Sequence, residues 1–205
     1  MAMLSTLGLM SKYQQLKLEI GEVTIVVASK YMSIDEVNKL YSEGARDFGE
    51  NRSDELLYKK AYTKKDITWH FIGHLQSNKV KQVINEIDYL HSLDRLSLAK
   101  AIQKHRTTPL NCFIQVNVAK ESQKSGILLE NLKEFMNSLS KYDKIRLVGF
   151  MAMGVLNDQN QTKHVFKTLS SIKGDYKLSM GMSGDYKLAL NYQTDYIRIG
   201  SLLKE

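Results

Sequence analysis

Short β-branched or aromatic runs alternate along the chain with segments whose apolar residues recur at helical spacing. Strands are expected at Val23–Ser29, Asp47–Gly49, Thr68–Gly73, Tyr89–Leu93, Cys112–Val118, Ile145–Met151, Lys177–Gly181 and Tyr196–Ile199. A helical pattern follows each of the first seven. Ser33-Ile34-Asp35-Glu36 spells a capping box, in which the serine hydroxyl meets the Glu36 amide and the glutamate reaches back. Ile34, Val37, Leu40 and Tyr41 then share one face, and Gly44 supplies the stop. Ser77 is expected to cap a helix carrying Val80, Val83, Ile84 and Ile87. Leu128, Leu132, Phe135, Met136 and Leu139 mark the helix after the fifth strand, and Ser183 is expected to cap the one after the seventh.

At about 26 residues per unit there is room for one strand, one helix and two tight loops. Consecutive βα units of this kind predict an α/β fold, a single (β/α)8 TIM barrel over residues 1–205, near the lower size limit of roughly 200 residues. No helix fits after the last strand. The amphipathic opening segment, with Leu4, Leu7, Met10, Tyr13 and Leu16, is expected to complete the outer ring as an N-terminal helix. An open doubly wound sheet, usually of five or six strands, is the alternative.

Composition narrows the class. With 43% hydrophobic and 25% charged residues the chain is ordinary globular protein. One proline and 12 glycines leave no linker, which favours one domain. No apolar run approaches the roughly 18 residues that cross a bilayer. Met1–Ser11 lacks the positive start of a secretory signal. A lone cysteine, Cys112, excludes an internal disulfide and suits a reducing cytoplasm. The net charge of +7 is spread along the chain, and its densest run, Lys59-Lys60 and Lys64-Lys65, reads as a solvated helix end. That favours a small anionic ligand over nucleic acid or a membrane.

In such barrels the chemistry sits at the C-terminal ends of the strands. Lys30 follows the apolar run Val23–Ala28 and is expected there partly desolvated, which would supply the neutral amine that Schiff-base chemistry with an aldehyde needs. Ser179–Gly184 and Gly200-Ser201 each offer backbone N–H groups and a hydroxyl after a strand, the pattern of a phosphate site. An amine facing a phosphate cradle implies a ligand with both an aldehyde and a phosphate, as in pyridoxal 5′-phosphate. His70-x-x-x-His74 has metal-like spacing but no third ligand in pattern. Gly44–Gly49 and Gly149–Gly154 have P-loop spacing, with Glu50 and Val155 where lysine is required. Cys112, His91, His105 and His164 show no partner pattern and read as packing or surface residues.

Ala28-Ser29-Lys30, Phe48-Gly49-Glu50-Asn51-Arg52, the run Trp69–Lys79, His91-Ser92-Leu93-Asp94-Arg95, Lys124-Ser125-Gly126, Gly149–Met153, Leu178–Ser183 and Ile197–Gly200 follow in order. Together they resemble the pyridoxal phosphate homeostasis protein family, related to the N-terminal barrel of alanine racemase. The resemblance implies a barrel of fold type III that binds pyridoxal 5′-phosphate through a Schiff base on the residue matching the family's lysine, Lys30. It implies that Arg198 faces the pyridine nitrogen and that Ser183, Gly200 and Ser201 belong to the phosphate loops. Asn51 and His70 fall in motifs near the cofactor. The chain departs from the family's pattern in its short opening helix, its short Gly154–Phe166 connection and its last residues.

The family is thought to carry or buffer the cofactor, with no robust catalytic reaction, and its expected partners include apoenzymes that depend on pyridoxal phosphate. An arginine at the ring nitrogen disfavours protonation there and weakens the ring as an electron sink. Racemases of this fold also bring a second base from another domain or subunit. Both points favour a carrier, which is expected to be cytoplasmic and a monomer or weak dimer. A weak pyridoxal-phosphate-dependent racemase or lyase is the alternative.

Overall fold

The computed structural model describes residues 10–121, 123 and 125–204. Its elements run α1 (Lys12–Ile20), β1 (Thr24–Ala28), α2 (Ile34–Ser42), β2 (Asp47–Glu50), α3 (Ser53–Tyr62), β3 (Thr68–Phe71), α4 (Val80–Val83), β4 (Tyr89–Leu93) and α5 (Leu96–His105). Then come β5 (Leu110–Asn117), β6 (Ile127–Leu128), α6 (Leu132–Leu139), β7 (Ile145–Met151), α7 (Gln159–Ile172), β8 (Lys177–Met182), α8 (Tyr186–Leu190) and β9 (Tyr196–Ile199). The strands pair in parallel in the order β4-β3-β2-β1-β9-β8-β7-β5, and β4 also pairs with β5. That last pairing closes the sheet into a (β/α)8 barrel, as the alternating pattern predicts. Strand β6 is an addition the pattern did not show; it pairs only with β5, at Val116 and Asn117.

Alternation along each strand sorts the apolar residues into two sets. Val26, Phe113, Met151 and Tyr196 pack inside the barrel with Ile72, Tyr89, Val148 and Met153. Their neighbours Ile25, Val27, Phe48, Trp69, Phe71, Ile114 and Ile197 face outward under the helices. Gly49 sits on the inner face because there is no room for more: a Cβ would lie 2.9 Å from Val26 Cγ1 and 3.0 Å from Ile72 Cδ1.

The local signals act largely as expected. Ser33 and Glu36 form the capping box of α2, Val37 and Leu40 are buried, and Gly44 leaves the helix at φ +112°. Helix α1 has its own box between Ser11 and Gln14. It buries Tyr13, Leu16 and Ile20, with Tyr13 near Gly44 behind α2 and Glu19 accepting from the Tyr186 hydroxyl at the start of α8. It thus completes the outer ring; Leu4 and Leu7 lie outside the described residues. Two expected caps are corrected. Ser77 opens a 3₁₀ turn before α4 and makes no cap bond; it lies 3.4 Å from Arg95 Nη2. Ser183 does not cap α8, which begins three residues later behind Asp185. Its hydroxyl is taken by amides of another segment: Gly200 N–H and Leu202 N–H donate to Ser183 Oγ at 3.4 and 3.3 Å. No helix among the described residues is long and apolar enough to cross a membrane.

Outside the barrel, between β1, β2 and α3, lies a buried ion pair. Lys59 Nζ donates to Glu50 Oε1 and to the Ser29 carbonyl, both at 2.6 Å, and Ser29 Oγ donates to Glu50 Oε1 at 2.7 Å. The Lys59 and Glu50 side chains are 3% and 0% exposed. Glu50 Oε2 has no hydrogen-bond partner among the described residues. Losing one partner leaves a buried charge uncompensated, which costs about 3–5 kcal/mol. Lys59→Met is therefore expected to destabilise the fold by that amount in urea denaturation, and the double variant Lys59→Met/Glu50→Leu to recover most of it. Equal midpoints for Lys59→Met and the unaltered chain would show that the pair contributes nothing.

Candidate functional site

Because the barrel strands are parallel, their C-terminal ends open on one rim, and the residues expected to act there converge on it. Lys30 lies two residues beyond Ala28, in phase with the inward residues Thr24, Val26 and Ala28. It stands in the turn rather than at the end of β1, and it is exposed, so the expected desolvation is not present. Its ammonium lies 4.7 Å from the centroid of the Tyr31 ring. Lys204 holds the same turn, donating from Nζ to the Tyr31 carbonyl at 3.0 Å. Behind it, the buried Lys59 ammonium grips the Ser29 carbonyl, the peptide that leads into Lys30.

Asn51 follows β2 in phase with Asp47 and Gly49 and is half-buried. The Gly73 backbone crosses so close that a Cβ there would lie 2.7 Å from the Asn51 Cα. Across the rim, Ser183, Gly200 and Ser201 gather the loops after β8 and β9. Gly200 passes near β1, where a Cβ would come 3.0 Å from the Ala28 carbonyl oxygen. The turn into Ser183 uses Gly181 at φ +95°, a conformation side chains rarely adopt. Ser201 is exposed.

Beneath the rim lies a chain of polar groups, buried except for Asp47 at its end, whose side chain is 28% exposed. Arg198 Nη1 donates to the Ser179 carbonyl at 2.8 Å and to Ser179 Oγ at 2.6 Å, and Nη2 donates to the Ala152 carbonyl at 3.0 Å. Ser179 Oγ meets His91 Nδ1 at 2.8 Å, His91 Nε2 meets His70 Nδ1 at 2.9 Å, and His70 Nε2 meets Asp47 Oδ1 at 2.9 Å. Burial lowers the Arg198 pKa to about 10, against the opposing pull of Asp185. The guanidinium is still charged at neutral pH. Burial first, then the neighbouring His70 ring and the Arg198 guanidinium, hold His91 well below the ordinary histidine range.

The structure therefore places Arg198 and His70 inside the barrel and Lys30, Asn51, Ser183, Gly200 and Ser201 around its mouth. Sequence reasoning missed His91, which it left as packing, and Asp47; Ser179, which it placed in the phosphate segment, instead bonds His91 and Arg198 beneath the rim. The available signal was phase: on their strands, His91 is two residues from Tyr89, Ser179 two from Lys177 and Asp47 two from Gly49. Once the barrel is accepted, those positions face inward.

The family model described as the alanine racemase N-terminal domain matches residues 9–204. The pyridoxal phosphate homeostasis protein of Aquifex aeolicus is 34% identical over 190 residues, 86% of this chain and 83% of the relative. The solved structure of PipY from Synechococcus elongatus without PLP superposes with a TM-score of 0.84 at 27% identity, covering 94% of this chain and 98% of PipY. PipY solved with PLP bound gives 0.83 at 25% identity over the same shares. Alanine racemase from Corynebacterium glutamicum shares the fold, with a TM-score of 0.73 at 13% identity, 94% of this chain and 58% of the racemase.

Proposed function

The chain belongs to the alanine racemase N-terminal domain family and, within it, to the pyridoxal phosphate homeostasis proteins, and from that premise we propose that it binds pyridoxal 5′-phosphate at the barrel mouth and carries or buffers it. The observation that carries this reading is the meeting of Ser183 Oγ with the amides of Gly200 and Leu202. Two loops that each offer N–H groups and a hydroxyl lie within hydrogen-bond reach of one another, a donor set suited to a phosphate dianion. Ser201 adds an exposed hydroxyl beside them. The absence of a Cβ at Gly200 lets that loop pack against the Ala28 carbonyl of β1.

Arg198 suits the pyridine nitrogen. A guanidinium has five N–H donors and no acceptor, and three are spent on Ser179 and Ala152, which leaves donors for a ring lone pair. When bound, the cofactor supplies an aldehyde for an amine and, with its nitrogen protonated, an electron sink. Arg198 disfavours that protonation by like-charge repulsion. It favours carriage over turnover.

Lys30 is the amine proposed for the Schiff base, held in place by the Lys59 grip on Ser29 and by Lys204 on Tyr31. In the free protein its ammonium is exposed over Tyr31, so the ligand itself must bring the cover that favours the neutral amine. Asn51 faces the mouth from β2. His70 has both ring nitrogens engaged, so it serves the site through its neighbours. The same reading takes residues 1–205 as one cofactor-binding domain, cytoplasmic, handing the cofactor to apoenzymes. The competing reading, a weak racemase or lyase, draws on His74 at the rim, 49% exposed and 3.5 Å from Asp94, as a proton carrier.

Purified protein incubated with pyridoxal 5′-phosphate is expected to show a visible band that borohydride bleaches, with the reduced adduct mapping by mass spectrometry to Lys30. Lys30→Ala is expected to lose the adduct and keep the fold, and an adduct at another lysine would overturn the assignment. Ser201→Asp sets a negative charge beside the phosphate and removes a donor. Its affinity for the cofactor is expected to fall tenfold or more. Equal binding of pyridoxal and pyridoxal 5′-phosphate by the unaltered chain would remove the cradle. Deuterium incorporation at the α-carbon of amino acids in heavy water, followed by NMR, is expected to be slow. Exchange at about 1 s⁻¹ or faster, within the enzyme range, would replace the carrier by the racemase.

A further inference from the structure

We propose that Asp47, His70, His91 and Ser179 are positioning residues for Arg198, a one-way hydrogen-bond chain that runs through the barrel interior and fixes the direction in which the guanidinium offers its free donors. The inference rests on the reading that Arg198 meets the ring nitrogen of a bound pyridoxal phosphate.

The direction follows from the two ends. The Asp47 carboxylate only accepts, so His70 carries its proton on Nε2. Its Nδ1 is then a bare acceptor, which requires the proton of His91 on Nε2. His91 Nδ1 is bare in turn, and the Ser179 hydroxyl must donate to it. A lone pair of Ser179 Oγ is thereby aimed at Arg198 Nη1, which can only donate. Each group finds a partner of the opposite kind, with every hydrogen pointing from Arg198 toward Asp47. Starting from the arginine gives the same assignment. Running the chain backward would need a protonated carboxyl at one end and leave the serine proton without an acceptor at the other.

Packing holds the rings in these orientations. His70 stacks on Tyr89 with centroids 4.6 Å apart and planes 7° apart, and His91 stacks on Phe113 at 4.5 Å. Tyr196 meets His91 edge-on at 6.1 Å. The titratable groups facing the pair are Asp47 from β2, Tyr89 from β4, and Tyr196 and Arg198 from β9, with Lys177 from β8 over the Tyr196 ring. A neutral His91 is what burial beside Arg198 favours. The chain draws on β2, β3, β4, β8 and β9, and its two ends, Asp47 and Arg198, stand on the strands that flank β1.

The first test needs no cofactor. In 15N-labelled protein, long-range proton–nitrogen correlation between pH 6.5 and 8 is expected to show bare Nδ1 and protonated Nε2 in both His70 and His91. A proton on Nδ1 of either overturns the chain. Two variants then read its reach. Ser179→Ala removes the central hydroxyl with little loss of packing, and Asp47→Ala removes the terminal acceptor, which is linked to Arg198 only through the chain. Both are expected to bring mixed tautomers at His91. With pyridoxal 5′-phosphate bound, both are expected to make the visible band, otherwise constant over this range, shift with pH and to weaken binding about tenfold. Ser179→Thr, which restores the hydroxyl, is expected to return both toward the unaltered behaviour. Unchanged tautomers and an unchanged band in Asp47→Ala would overturn the inference while cofactor binding stands. Failure of the unaltered chain to bind the cofactor would instead defeat the functional reading, and the tautomers would still decide whether the chain exists.

Discussion

Closing a parallel sheet on itself gives every second side chain a single destination, the inside of the barrel. The β4–β5 pairing does this here, and the interior composition follows from it. Phe113, Tyr196, Tyr89 and Met151 take most of the volume, and Gly49 gives way where Val26 and Ile72 already meet. Polar groups buried on the inner face need partners there, so they must be matched to other inward groups. Asp47, His70, His91, Ser179 and Arg198 meet that demand among themselves and with backbone carbonyls. The mouth inherits its chemistry from the same closure, because the parallel ends all open on one side.

The outer face of the same strands carries the second polar system. Asp47 and Gly49 face in, while Phe48 and Glu50 face out, so neighbouring residues of β2 serve two separate networks. Glu50 and Lys59 clamp the Ser29 carbonyl from outside, while the histidine chain supports Arg198 from within. The clamp fixes the backbone leading to Lys30, and the inner chain fixes a side chain. Each is buried and so has strong local electrostatics and a high cost of disruption.

Much of the fold was legible because strand runs and helix faces leave periodic traces. Tyr89–Leu93, Ile145–Met151 and Tyr196–Ile199 have their expected bounds, and the Ser33 box forms as spelled. Errors arose where a residue's partner is distant in sequence. Ser183 looks like a cap until the amides of Gly200 and Leu202 claim its hydroxyl, and Ser77 is left beside Arg95. His91 has no neighbour in sequence that explains it; its partners come from β3 and β8. Lys30 has the right phase, but β1 ends at Ala28, one residue short of the expected Ser29, and leaves Lys30 in the turn. Strand β6 is two residues long, too short to leave a period. The residues that gather at the mouth were legible in kind, whereas the chain that supports them required knowledge of strand neighbours.

The hydrogen-bond chain beneath the rim is also a line of bond dipoles laid head to tail. With each hydrogen directed toward Asp47, the electron-rich end of every link faces Arg198. The guanidinium therefore faces the electron-rich ends of the chain in addition to the pull of the Asp185 carboxylate. A carboxylate bonded directly to Arg198 would have taken up its remaining donors. A carboxylate reached only through Ser179, His91 and His70 leaves those donors open to an incoming ligand.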